Sequence, residues 1–290
     1  MKTTAKITVI FGVGLLTACN FNQSVAKDLM TGLETRGNGL SANTVSITDG
    51  DADVADNTFL YGQKIFTNFE GMDGFLVENG KYYPEMGVAV ISKQGDTVLK
   101  NEHILGGKGL DAALRTLTGN VTLATPIQTG NSYTVLYTIT DTKGDGVFTS
   151  EFELDLKKDP VIKREEKGLT VKEAYIFDQD SKKVRVNGTI GFDNNVLLDV
   201  QGLEGYRMVD GKPNLGMSLN VTDEKGRTIL NMNDLFENRP LKEADIKRGL
   251  GATLKVNKGA TTEDVVWTVK IWDKNSDATV RLTAKVSIEN

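Results

Sequence analysis

The chain of 290 residues contains one cysteine, one histidine and five prolines. A single cysteine excludes an intramolecular disulfide framework, a cysteine-rich zinc site and a cysteine-ligated iron–sulfur cluster. A single histidine, His103, removes most histidine-based metal sites and leaves one imidazole for acid–base chemistry. Five prolines beside thirty glycines indicate many tight turns rather than a proline-rich disordered chain.

Long apolar runs are also missing. The apolar segment 7–16 covers ten residues, which are too few to cross about 30 Å of hydrocarbon. Lys2 and Lys6 precede this segment, and a short positive region before a short apolar core is typical of a secretory signal peptide. The segment ends in Leu16-Thr17-Ala18-Cys19, which resembles the lipobox of bacterial lipoproteins.

The lipobox resemblance implies cleavage before Cys19, so that residues 1–18 are the signal peptide and the Cys19 thiol carries a diacylglyceryl group. Two or three acyl chains would hold the mature protein firmly on a membrane. Asn20 stands where aspartate marks inner-membrane retention in enterobacteria, which favours the outer membrane, with periplasmic or surface exposure left open. The alternative is a plain secreted protein with a chance cysteine.

Residues 40–157 and 169–290 carry the same sequence pattern, which indicates a tandem duplication. Copies of about 120 residues suit independent domains. We expect residues 19–39 to be a lipidated polar tether and the charged residues 158–168 to link the two domains. The matching segments, offset by 129 to 132 positions, are 70–75 with 201–206, 79–81 with 210–212, Gly87 with Gly216, 95–99 with 226–230, Asp141 with Asp273, and Asp145 with Asp277.

Each copy is rich in short segments that alternate between apolar and polar residues. The period of two in 133–139 and 265–271 predicts β-strands, and it places Trp267 and Trp272 on opposite faces of one strand. Asn-Gly and Asp-Gly turns at 79–80 and 210–211 predict hairpins. A helical pattern is confined to 110–117 and 241–250. The sequence therefore predicts an all-β protein with two tandem antiparallel Ig-like β-sandwiches.

The sequence offers little support for a catalytic site, a metal site or a cofactor site. The acidic segment 49–56 spaces carboxylates as a calcium loop does, but Val54 and Leu60 stand where an EF-hand needs glycine and glutamate. No nucleophile elbow, Walker loop, dinucleotide fingerprint or zinc-protease helix is present. We expect no catalytic residue, no metal and no cofactor. We therefore predict that the protein is not an enzyme. The remaining alternative is a hydrolase whose carboxylates converge in space.

Aromatic residues supply the candidate ligand-binding positions. Trp272, on the face opposite Trp267, is a candidate platform for stacking on a sugar ring, or else it packs under a loop or between the two copies. Tyr82 and Tyr83 follow a predicted turn and lack aromatic counterparts in the second copy, so they are candidate ligand-binding residues, or else they cap an edge strand.

These features predict a membrane-anchored cell-envelope lipoprotein that acts as a non-enzymatic binding or scaffolding protein. Its architecture resembles tandem-sandwich lipoproteins of Bacteroidota, without reaching a named family. The expected partners are the membrane, through Cys19, and a glycan or envelope protein; the formal net charge of −5 argues against nucleic acid. One alternative is a glycan-binding accessory protein of a surface uptake system. Another is a fimbrial subunit precursor that is trimmed near Arg36.

Overall fold

The computed structural model describes residues 23–27, 31–237, 241–260 and 264–289, and Cys19 lies outside these ranges. The first half of the described chain forms twelve strands. These strands are β1 (Gln23–Lys27), β2 (Glu34–Asn38), β3 (Thr44–Thr48), β4 (Thr58–Leu60), β5 (Lys64–Glu70), β6 (Lys81–Tyr82), β7 (Pro84–Ser92), β8 (Thr97–Asn101), β9 (Leu110–Asp111), β10 (Leu117–Thr122), β11 (Asn131–Asp141) and β12 (Val147–Lys157).

The second half repeats this organisation and adds one short helix. Its elements are β13 (Ile162–Lys167), β14 (Thr170–Asp178), β15 (Lys183–Val184), β16 (Thr189–Gly191), β17 (Val196–Glu204), β18 (Met208–Val209), β19 (Lys212–Pro213), β20 (Leu215–Asp223), β21 (Thr228–Met232), α1 (Glu243–Arg248), β22 (Leu250–Leu254), β23 (Val265–Asp273) and β24 (Thr279–Glu289).

The strand order of the first half recurs in the second. In the first half, a sheet ordered β1-β2-β12-β11-β7-β8 packs on a sheet ordered β10-β5-β3. In the second half, β13-β24-β23-β20-β21 packs on β22-β17-β14-β15. Strand β4 runs parallel to β12, as β16 does to β24, and the other strand pairs of these sheets are antiparallel. The fold is all-β and built from antiparallel sandwiches, as predicted; we call the two halves the first and second sandwiches.

Alternating side chains build a separate core in each sandwich. In the first, Phe69 from one sheet meets Tyr137 and Phe148 from the other, with ring centroids 5.6 and 6.1 Å apart. In the second, Trp267 is fully buried at the centre of β23, on the inward face that the alternation predicts. Apolar burial on one face of each sheet is the main stabilising contribution to such a fold.

Two glycines show how closely the sandwiches correspond. Gly74 has φ of +94° and Gly205 has φ of +89°, conformations that side chains other than glycine rarely adopt. A Cβ on Gly74 would lie 2.0 Å from the Gly39 carbonyl oxygen, and one on Gly205 would lie 2.0 Å from that of Gly168. The same close approach of two backbone segments is therefore made at matching positions in both halves.

Three predictions about local structure are wrong. The predicted tether 19–39 includes β1 and β2, because these strands pair with each other and β2 joins β12. The predicted linker 158–168 contains β13, which pairs with β24 and leaves residues 158–161 between the sandwiches. The helical pattern at 110–117 folds instead as β9, a turn and the start of β10, because pairing of β9 with β6 overrides a helical preference too short to persist alone. Helix α1 lies within the second predicted helical segment, 241–250.

An end of the first sandwich packs on the outer face of the second sandwich's smaller sheet. Tyr61 and Tyr175 have ring centroids 5.6 Å apart, and the Tyr61 hydroxyl donates to Gln201 Oε1 at 2.8 Å. The backbone and hydroxyl of Thr129 donate to Glu173 Oε1, each at 3.0 Å. Burial and the nearby Asp199 carboxylate raise the pKa of Tyr175, which keeps its hydroxyl protonated as a donor. Aromatic packing and buried hydrogen bonds thus join the two halves.

Candidate functional site

Trp272 lies on the outer face of β23, as the alternation predicts. Its indole covers Gly216 across the strand pair, where a Cβ would lie 2.1 Å from the ring. The Lys270 ammonium is 6.0 Å from the ring centroid. The side chain is half-buried: it packs over Gly216 and leaves part of its ring exposed to solvent.

Tyr82 and Tyr83 point to opposite sides of one short segment of the first sandwich. Tyr82 is buried: its hydroxyl donates to the Leu114 carbonyl at 2.6 Å, and its ring lies 4.8 Å from that of Phe75. This corrects the expectation that Tyr82 offers a ring face to a ligand, because packing covers it. Tyr83 is half-buried with the Lys143 ammonium 5.1 Å from its ring centroid. Trp272 belongs to the other sandwich.

His103 lies beside a carboxylate, and this contact indicates its role. Its Nδ1 lies 3.4 Å from Glu85 Oε2 on the surface. Glu85 Oε1 accepts hydrogen bonds from the backbone N–H groups of Met86 at 2.9 Å and Leu105 at 3.1 Å. Although burial opposes ionisation of Glu85, these bonds and the histidine lower its pKa. His103 is thus a surface neighbour of a carboxylate that caps a loop.

In the second sandwich, the corresponding loop is also capped by a carboxylate, which comes from a different sequence position. Asp234, aligned with His103, accepts from the backbone N–H groups of Met217 at 3.2 Å and Phe236 at 3.0 Å. Its cationic partner is Lys274, at 2.7 Å. A carboxylate that accepts from two backbone N–H groups and lies beside a basic side chain recurs in both halves, which supports a structural role for His103.

The acidic segment 49–56 begins with a turn rather than a metal loop. Asp49 Oδ1 accepts from the backbone N–H groups of Asp51 and Ala52, each at 2.9 Å. In the second sandwich, Asp178 Oδ1 accepts from Asp180 at 2.8 Å and Ser181 at 3.0 Å. Among the residues described, no group of three or more histidine, cysteine, aspartate or glutamate side chains is placed to hold a metal ion.

These two turns border a cleft of about 360 Å³ between the sandwiches. We define this interdomain cleft by the side chains of Asp51, Gln63, Phe66, Lys183 and Arg185, together with their neighbours in both walls. Phe66 on β5 is half-buried and provides an aromatic surface. An ion pair between Lys183 and Asp51 joins the walls. The cleft combines an aromatic ring with polar groups of both charges, a combination that suits a small polar ligand.

Asp178 fixes the wall that the second sandwich contributes. Its buried carboxylate forms an ion pair with Arg185 and accepts a hydrogen bond from Asn194 Nδ2 at 2.8 Å. Burial opposes ionisation, but the bonds from Arg185, Ser181, Asp180 and Asn194 outweigh it and lower the pKa of Asp178 to about 2. Asp178 therefore stays ionised at neutral pH and holds the segment that carries Lys183 and Arg185.

The sequence patterns did not indicate the cleft, because its two walls are more than 100 residues apart in the chain. Alternation marks Phe66 as an outward residue, which was the one available signal.

Cys19 and its lipidation lie outside the described residues. None of the described residues belongs to a helix with the length and apolar character that a bilayer crossing requires.

Comparison with known proteins leaves the family open. No protein-family model matches the chain, and no curated protein matches its sequence. A DUF4785 family protein of Legionella pneumophila aligns over 85% of this chain and 54% of its own length, at 10% identity and a TM-score of 0.25. A DUF3823 family protein of Bacteroides ovatus aligns over 74% of this chain and 97% of its own, at 10% identity and a TM-score of 0.23. The chain thus spans about half the length of the Legionella protein.

Proposed function

We propose that the chain is a non-enzymatic lipoprotein of the bacterial outer membrane, held by acyl chains on Cys19, whose joined sandwiches bind a ligand or scaffold neighbouring envelope proteins. The lipobox-like Leu16-Thr17-Ala18-Cys19 supports the anchor. The interdomain cleft supports the binding role. Both of its walls are held in place, one by Asp178 and the two together by the Lys183–Asp51 ion pair and the Tyr61–Gln201 hydrogen bond.

Walls that are already joined by hydrogen bonds and ion pairs favour binding, because little order has to be created when the ligand arrives. The cleft lining carries four basic and two acidic side chains, and two of the basic ones are paired, Lys183 with Asp51 and Arg185 with Asp178. The Lys64 ammonium lies 5.1 Å from the centroid of the Phe66 ring. A binding role therefore follows from the cleft more directly than a catalytic one.

A glycan is the ligand class that we favour, and the observation behind it is the position of Phe66. An aromatic surface flanked by the amides of Gln63 and Asn187 and the carboxylate of Asp49 can stack on a sugar ring and hydrogen-bond its hydroxyls. This moves the proposed stacking residue from Trp272 to Phe66. Trp272 then serves as the matched control, because it is a half-buried aromatic on the outer face of the other sandwich.

A glycan array probed with wild type, Phe66→Ala and Trp272→Ala tests the glycan candidate. We expect wild type and Trp272→Ala to bind the same glycans and Phe66→Ala to lose them. Loss in Trp272→Ala with retention in Phe66→Ala would move the site to β23. If wild type binds no glycan, the ligand class is wrong.

One observation supports the alternative of a fimbrial subunit precursor. Arg36 lies in β2, which pairs with β1 on one side and β12 on the other. Cleavage after Arg36 and release of the preceding segment would open the edge of β12 for a donated strand. The same pairing holds Arg36 within the sheet, where a protease has to unpair it first. Cleavage at Arg36 with an arginine-specific protease, followed by size-exclusion chromatography, tests this alternative: polymers support it, and an unchanged monomer rejects it.

Replacing Cys19 with serine tests the anchor. We expect the Cys19→Ser protein to leave the membrane fraction or to keep its signal peptide. Normal cleavage together with unchanged membrane fractionation would reject the lipoprotein proposal.

A further inference from the structure

One end of the first sandwich exposes large apolar side chains. Leu76, Val77 and Leu114 are 53%, 56% and 60% exposed. Leu76 and Val77 follow β5, and Leu114 lies between β9 and β10. Apolar groups gathered at one end of a protein indicate a contact surface more strongly than the same groups scattered singly. We call these three residues the apolar end.

The side chains of the apolar end stand on loops whose backbones are hydrogen-bonded. The Leu76 N–H donates to Asp141 Oδ2 at 2.7 Å, and Asp141 is itself buried. The Leu114 carbonyl accepts the Tyr82 hydroxyl at 2.6 Å, and the Tyr82 ring packs on Phe75. The structure therefore holds these apolar groups in solvent instead of folding them inward.

The apolar end faces away from the second sandwich. Strand β12 runs from Val147 to Lys157, and its last residue leads through 158–161 into the second sandwich. Its first residue, Val147, lies at the other end, beside the turn that follows Asp141. Eleven residues of strand separate the two ends by roughly 35 Å.

The first described strand begins at the apolar end. Gln23 pairs with Asn38, and Asn38 pairs with Val147, the first residue of β12. The next residue, Gly39, has its carbonyl oxygen against Gly74, two residues before Leu76. Gln23 is thus separated from Gly74 by about two strand spacings, on the order of 10 Å.

Cys19 precedes Gln23 by four residues, a span of at most about 14 Å even when fully extended. Given the lipid anchor of the proposed function, the acyl chains must enter the bilayer near this end. We infer that the apolar end is a membrane-contact surface, where Leu76, Val77 and Leu114 enter the interfacial layer beside the anchor while the second sandwich points away from the membrane.

The surrounding charges determine which kind of bilayer should be bound. Asp73 and Glu78 are exposed beside Lys81 and Arg115, so the rim has no dominant sign. The contact is therefore apolar, and a neutral bilayer should support it. An electrostatic contact would instead require anionic lipid.

The second sandwich supplies a matched control at the corresponding loop. Met208 and Val209 are 39% and 48% exposed, and Val209 borders the turn that corresponds to the one after Val77. This loop has the same apolar character but no neighbouring lipid attachment. Cys19 is the only cysteine in the chain, and lipidation consumes its thiol, so Val77→Cys and Val209→Cys each provide one thiol for a label.

The test uses the lipidated full-length product, purified in detergent and returned to phosphatidylcholine vesicles. Each variant carries an environment-sensitive fluorophore at its new cysteine, and flotation first shows that the protein is on the vesicles. We expect the label at 77 to shift its emission to shorter wavelength and to be quenched by lipids that carry a nitroxide. The label at 209 should be quenched by aqueous iodide and show no shift.

The outcomes separate this inference from the proposed function. Floating protein whose label at 77 is as accessible to iodide as the label at 209 overturns the inference and leaves the anchor intact; a partner protein would then be the occupant of the apolar end. Equal lipid quenching at both positions overturns the upright orientation. Protein that does not float overturns the anchor and, with it, this inference.

Discussion

The hydroxyl of Tyr61, in the first sandwich, donates to Oε1 of Gln201, in the second, at 2.8 Å. The same hydroxyl lies 2.9 Å from Thr125 Oγ1 and accepts from the Thr125 N–H at 2.9 Å. Gln201 Nε2 in turn donates to the Tyr175 hydroxyl at 3.3 Å. One tyrosine therefore connects the bonding networks of both sandwiches, and we expect them to unfold together.

Removing Tyr61 should separate the two unfolding events. Tyr61→Ala should cost about 3–5 kcal/mol because it removes a buried aromatic ring, and it should split one calorimetric transition into two. Tyr61→Phe keeps the ring and should cost about 1–2 kcal/mol for its lost hydrogen bonds, with one transition retained. Two transitions already present in the wild type would show that the interface does not couple the sandwiches.

The coupling also shows where sequence reasoning reached its limit. Alternation and turn chemistry were enough to predict Trp267 as buried, the tight turn at Gly80 and the hairpin at Gly211, because these depend on neighbouring residues. Tyr61 and Gln201 are 140 residues apart, and nothing local marks them as partners. A contact between two folded units depends on their packing, which a repeated local pattern does not encode.

The predicted linker 158–168 was wrong because β13 lies at a sheet edge. Lys163, Arg164 and Glu165 gave it the composition of a solvated linker, but an edge strand pairs through its backbone and tolerates charged side chains. The cleft was missed because it forms between separate segments. The loop-capping carboxylate was missed for another reason. Glu85 in the first sandwich does what Asp234 does in the second, but the two residues are not at matching sequence positions. The residue that aligns with Asp234 is His103, which has a different role.

The two tryptophans of β23 should differ in their contribution to stability. Trp267→Ala should cost about 3–5 kcal/mol, because the side chain is fully buried in the second core. Trp272→Ala removes a half-buried cross-strand neighbour of Gly216 and should cost about 0.2–1 kcal/mol. Urea unfolding of both variants measures the difference. Equal losses would mean that Trp272 is packed as deeply as Trp267.

Gly74 should not tolerate alanine. The substitution combines a left-handed backbone with a Cβ that would lie 2.0 Å from a carbonyl oxygen, so we expect a loss of about 3 kcal/mol or more. Gly80→Ala is the control, because Gly80 has φ of +73° but nothing within 4 Å of its Cβ position. Its cost should be about 1–2 kcal/mol. Thermal unfolding that ranks the two variants equally would contradict the close approach to Gly39.

Asp178 should make the protein sensitive to acid. Its pKa is about 2 in the folded state against 3.8 for a free side chain, so the unfolded state binds a proton first as the pH falls. The resulting stabilisation, about 2 kcal/mol, is complete above about pH 4 and is lost as the pH falls towards 2. The stability difference between wild type and Asp178→Asn should therefore shrink from pH 5 to pH 2.

Asp49→Asn provides the control for the acid measurement. Asp49 makes the corresponding turn but is exposed and has no arginine of its own among the described ion pairs. Its substitution should have a smaller effect at every pH. A stability difference for Asp178→Asn that stays constant between pH 5 and pH 2 would show that the Asp178 carboxylate is not selectively stabilised in the folded protein.

The mass of the mature N-terminal peptide tests the central claim most directly. The protein is taken from the membrane fraction of its own bacterium, digested, and analysed by mass spectrometry. The lipoprotein account predicts a chain that starts at Cys19, with a diacylglyceryl thioether on that residue. A free thiol at Cys19, or a mature chain that starts at any other residue and carries no lipid, would contradict it.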